Sequence, residues 1–164
     1  MHYGDDDWQK QNLWQIAKQL RDFRGEKFLS AVTLVLSRLF DVRFAFISVA
    51  LQQQDMAQTL FVADRGNSLR PFQYRISTAP CQQVFHGQAL AIPCELAQHY
   101  VDEAGLQSYI GAPLPNRAQK IIGVLAIADE KVMVGEQRIL QLLQLLTAQV
   151  SAELELHLLA QAKN

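Results

Sequence analysis

The chain has 164 residues, 49% of them apolar and 19% charged, with 15 Lys and Arg against 16 Asp and Glu for a formal net charge of -1. That suits one domain with a proper core and leaves no basic stripe for nucleic acid. There is no run of about 18 apolar residues and no signal peptide, so no membrane span is expected within this chain.

Residues 1–7 are polar and acidic, as a frayed end is. A helix follows, with Leu13, Ile16, Leu20 and Phe23 stepping by 3, 4 and 3 along a narrow apolar seam. The acids at positions 5–7 are placed to cap it and to set negative charge at its start. After Gly25, a second helix is expected over 26–40, where Phe28, Leu29, Val32, Val35, Leu36 and Leu39 make a wide buried face.

Residues 42–51 read as a strand, with Phe44 and Phe46 on one face and Ala45, Ile47 and Val49 on the other. A hairpin loop leads to a returning strand over 57–63, then a loop over 64–68 and a short strand over 72–76. Thr78-Ala79-Pro80 opens a short helix from Cys81 to His86, stopped by Gly87. An extended piece over 89–92 and a short helix over 94–101 come next.

The strongest pattern lies at 108–129. Two apolar runs flank Pro115-Asn116-Arg117-Ala118-Gln119, which reads as a hairpin turn. In the second run both alternating faces are apolar: Ile121, Gly123, Leu125 and Ile127 on one, Ile122, Val124, Ala126 and Ala128 on the other. That marks a central strand covered above and below. Gly111 and Gly123, costly inside strands, suggest bulges or the close approach of another group. Asp129 and Glu130 read as a solvated strand end. The last helix is expected over 136–160, roughly 37 Å long. It carries two apolar stripes. Ile139, Leu143, Leu146, Val150 and Leu154 form one; Leu142, Leu145, Gln149, Ala152, Leu156 and Leu159 form the other, at coiled-coil spacing.

Several stretches together resemble a known family. Arg24-Gly25-Glu26-Lys27-Phe28, Ala79-Pro80-Cys81-Gln82-Gln83-Val84, Gly105 through Leu114, and Ile122-Gly123-Val124-Leu125 resemble, in order and spacing, the motifs of GAF domains. The likeness is to the sensory type found ahead of diguanylate cyclase (GGDEF) and histidine kinase modules in bacteria. Ala79 stands where that pattern has Thr, Gln119 where the turn has Gly, and the segment around Tyr100 is shorter.

The resemblance implies an α+β fold with a central antiparallel sheet of about six strands. Long N- and C-terminal helices would cover one face, and short helices and loops would form a pocket on the other. Residues 1–24 would be a tail and linking helix, 25–160 the GAF domain, and 161–164 a tail. It implies a cytoplasmic sensor that relays a small-molecule signal through its terminal helices to an output domain beyond the chain. A ligand-free dimerisation module is the alternative. A free methionine-R-sulfoxide reductase is a further one: Cys81 matches one of that family's cysteines, but residues 102–108, where the catalytic one would fall, contain none. No enzyme activity is therefore expected.

Phe46, Tyr74, Cys81, His86, Tyr100 and Tyr109 are the expected pocket residues, with Phe85 as a further aromatic; buried aromatics serve as core as readily as ligand walls. Cys81, at a helix start, is a candidate nucleophile by position, but no Cys-His-Asx arrangement accompanies it. Cys81 and Cys94 fit no zinc spacing and read as reduced thiols. Neither is followed by His, as at bilin attachment sites. His86 and His99 are candidate haem ligands only by residue type. The segment 129–134 does not match the Asn-Lys and Phe-x-x-x-Asp-Glu motif of cyclic-nucleotide-binding relatives. No cofactor and no metal site is assigned. A homodimer is expected through Leu13, Ile16, Leu20 and Phe23 of the first helix and Leu142, Leu145, Ala152, Leu156 and Leu159 of the last, with Gln149 setting register.

Overall fold

The computed structural model describes residues 3–52, 54–100 and 105–163. Helix α1 spans Tyr3–Leu20 and α2 Gly25–Leu39; strands β1 (Phe44–Ala50), β2 (Met56–Asp64), β3 (Asn67–Ser68) and β4 (Gln73–Arg75) follow. Then come α3 (Cys81–Phe85), β5 (Leu90–Ile92), α4 (Leu96–His99), β6 (Ser108–Pro115), β7 (Ile121–Asp129) and α5 (Glu136–Ala162). The sheet runs β3-β2-β1-β7-β6-β5, with β4 paired to β2, and every pairing is antiparallel. Strand β7 lies at its centre between β1 and β6, as its two-sided apolar pattern requires.

Alternation along the strands sorts the core into two clusters. Ala45, Ile47, Ile110, Ala112, Leu114, Leu125 and Ile127 face α2 and α5, whose Leu29, Leu36, Leu142, Leu143, Val150 and Leu154 are buried against them. Phe46, Tyr109, Val124, Ala126 and Ala128 face the short helices. Gly123 lets strand and helix close up: a Cβ there would stand 2.9 Å from the Ser48 carbonyl oxygen and 2.7 Å from Leu154. The register of β1 against β2 shifts between Ile47 and Ser48.

Several expectations are corrected. Helix α1 begins at Tyr3, so Asp6 and Asp7 lie inside its first turns rather than ahead of it. Asn67–Ser68, read as loop, pairs with β2 as a short strand. Asp129 is not solvated: it is 1% exposed. Its Oδ1 accepts the N–H groups of Arg43 (3.2 Å) and Glu130 (2.9 Å), and its Oδ2 pairs with Lys131 Nζ at 3.0 Å. A buried carboxylate held this way fastens the ends of β1 and β7 together. Ile16, Leu20 and Leu142, expected in an outward seam, are buried within the chain. The reason is that α1 packs on α2 and α5, so its seam is covered at home.

The rest of that seam differs. Leu13 is half-buried. Phe23, Leu145, Ala152, Leu156 and Leu159 are exposed, and Trp14, not singled out in the sequence, joins them. No helix among the described residues is long and apolar enough to cross a membrane.

Candidate functional site

The face of the sheet away from α2 and α5 carries rings and small residues in alternation with the helix-facing aliphatics. Phe44 and Phe46 come from β1, Tyr74 from β4, Tyr109 from β6 and Ala128 from β7. Ala79, Pro80 and Cys81 at the start of α3 and Leu106 before β6 complete the walls, and Phe72 precedes β4. Together they line a partly open cavity of about 190 Å³. Ala79 and Ala128 make the room, because rigid rings around two methyl-sized side chains cannot collapse into the gap.

Two of the ring pairs are edge to face and a third is tilted. Phe46 and Tyr74 have centroids 6.3 Å apart at 72°, and Phe44 and Phe72 6.4 Å apart at 64°; Phe72 also meets Tyr74 at 6.4 Å. These are favourable quadrupolar geometries. Tyr74 Oη lies 2.6 Å from Ser48 Oγ, and Tyr109 Oη 3.0 Å from Cys81 Sγ. Gly111 holds Tyr109 in this pose: a Cβ at 111 would come within 2.8 Å of the Tyr109 ring. The ring can therefore lie along β6 and aim its hydroxyl at Cys81. Among the described residues no Asp, Glu, Lys, Arg or His lines the cavity.

Four of the six residues singled out from sequence, Phe46, Tyr74, Cys81 and Tyr109, line this cavity. His86 does not: it is exposed at the C-terminal end of α3. Tyr100 is half-buried and packs on the same cluster, with its hydroxyl accepting from Gln83 Nε2 at 3.3 Å, but it is not a wall of the cavity. The His99 side chain lies outside the described residues. Phe44 and Phe72 were missed as walls. The two-residue spacing of Phe44 from Phe46 was the available signal for the first; none marked the second. Among the described residues there is no disulfide, and no group of three or more His, Cys, Asp or Glu that could hold a metal ion.

The family model for the GAF domain matches residues 24–154, and the chain belongs to that family, one of sensory and regulatory domains. Similar solved structures include the GAF domain from Acinetobacter phosphoenolpyruvate-protein phosphotransferase, at 15% identity and a TM-score of 0.73, covering 96% of this chain and 98% of that one. Free methionine-R-sulfoxide reductase from Neisseria meningitidis, solved with its substrate, is similar at 17% identity and a TM-score of 0.73, over 93% and 91% of the two chains. The phycocyanobilin-bound GAF domain from a cyanobacterial phytochrome is similar at 16% identity and a TM-score of 0.66, over 93% and 96%. At these identities the likeness shows the fold. No curated protein matches the sequence.

Proposed function

We propose that the chain is the sensory module of a cytoplasmic bacterial signalling protein. In this reading residues 25–160 bind a small molecule in the aromatic cavity, and the helical segment 1–24 and α5 carry the response to an output domain. The observation that supports it is the cavity itself. A sheet face lined by five rings yet left unfilled at about 190 Å³ forgoes packing that larger residues at Ala79 and Ala128 would supply. The diguanylate cyclase or histidine kinase association rests on the motif likeness at residues 79–87 and 105–125.

The same reading makes the domain a homodimer through α1 and α5. Trp14, Leu145, Leu156 and Leu159 are each more than half exposed along these helices. Leaving several such side chains in water is a liability that pairing two copies removes. Polar Gln149 on the same face is suited to set register. A shift in that bundle would reorient whatever the helices join.

Two measurements test this. Native mass spectrometry of the purified full chain should retain a small-molecule adduct or accept one from a metabolite extract. A chain that accepts none, and whose cavity-filled variant Ala128→Leu is as active in signalling as the parent, would be a dimerisation module. Sedimentation at micromolar concentration should show a dimer that Leu145→Glu or Leu156→Glu dissociates. Turnover of free methionine sulfoxide with a thiol reductant would make it an enzyme instead.

A further inference from the structure

We infer that the ligand of this cavity is a small, uncharged aromatic molecule of about one ring; the inference rests on the sensory reading above. Size sets the first limit. At about 190 Å³ the space is close to the roughly 150 Å³ apolar cavity that admits benzene, and below the roughly 300 Å³ at which drug-sized pockets begin. A nucleotide or a tetrapyrrole is larger than this space.

The walls set the second limit. Phe44, Phe72, Tyr74 and Phe46 form a run of ring neighbours, two pairs edge to face and the middle pair tilted, and one more ring in the gap extends that run. Charge sets the third. No charged side chain among the described residues lines the space, so an ionised ligand would lose its hydration with nothing to replace it. A cation would also meet a ring already in use. The Arg43 guanidinium sits 5.1 Å from the Phe44 centroid, held there by ion pairs with Asp64 and Glu130. The Tyr74 and Tyr109 hydroxyls are engaged with Ser48 and Cys81, so a polar group on the ligand would compete with bonds already made.

The test uses three probes that share one ring and differ in charge: benzyl alcohol, benzoate and benzyltrimethylammonium. The full chain is titrated with each while the methyl resonances of Ala79 and Ala128 are followed by NMR. Benzyl alcohol should shift both methyls, and each charged analogue should bind at least about ten-fold more weakly. Ala128→Leu should abolish the shifts; Ala79→Leu, outside the sheet, does the same if the first variant folds poorly. Phe72→Ala, at a site 41% exposed, should weaken binding about five-fold while leaving the fold intact. Tighter binding of benzoate or benzyltrimethylammonium at the same methyls overturns the uncharged class and leaves the sensory reading standing. Failure of all three probes to move either methyl, together with failure of native mass spectrometry to find any adduct, overturns both.

Discussion

Along β7, Leu125 and Ile127 point to the long helices, while Ala126 and Ala128 point the other way, toward α3 and the aromatic cavity. On the first side, 15-residue α2 and 27-residue α5 lay Leu, Val and Ile over the strands, and these branched side chains bury one another in the larger core cluster. On the second, the cover is a five-residue and a four-residue helix, too short to present such a surface. Rings on the strands span the distance instead, and where they meet alanines a space persists. The larger aliphatic cluster thus lies under the long helices, and the aromatic cavity lies on the opposite face.

If that division holds, truncation on the helix side should be the most damaging change. Leu125→Ala, at a fully buried site, is expected to lower unfolding free energy by about 2–5 kcal/mol in urea titrations. An equal loss from Phe72→Ala would erase the contrast. Next in size is Gly111→Ala. Its methyl collides with the Tyr109 ring, for a cost of about 1–3 kcal/mol. A double-mutant cycle with Tyr109→Leu should recover most of it, and additivity would show that the two residues do not meet. Tyr74→Phe removes the bond to Ser48, which is fully buried, and should cost about 0.5–1.5 kcal/mol by the same titration. An unchanged midpoint would mean that this bond contributes nothing to the second face.

The smallest expected effect is a gain at a site remote from both faces. Gln119 sits at φ +65° in the β6–β7 turn, where Asn116 Oδ1 accepts the N–H groups of Ala118 and Lys120. Gln119→Gly relieves the left-handed strain and should stabilise by up to about 1 kcal/mol. A loss there would show that the Gln side chain holds the turn.

The order of the longer elements, the two-sided apolar character of β7 and the facing of the β1 positions were legible in the sequence. All of them follow from local periodicity, and a period of two or 3.6 survives any tertiary arrangement. Phe44 and Phe46 on one face and Ala45 and Ile47 on the other needed nothing more. Depth and partnership were different. The same seam spacing described Ile16, which is buried, and Leu156, which is exposed; only the seating of α1 on α2 and α5 separates them. Asp129 looked like any acid at a strand end until Lys131 and the backbone of Arg43 closed around it. Phe72 reached the cavity because the chain on either side folds back onto β2, with Thr59 N–H donating to the Phe72 carbonyl at 2.9 Å. Local pattern determines which way a side chain points; what it meets there is set by residues distant in the chain, and only the tertiary structure brings them together.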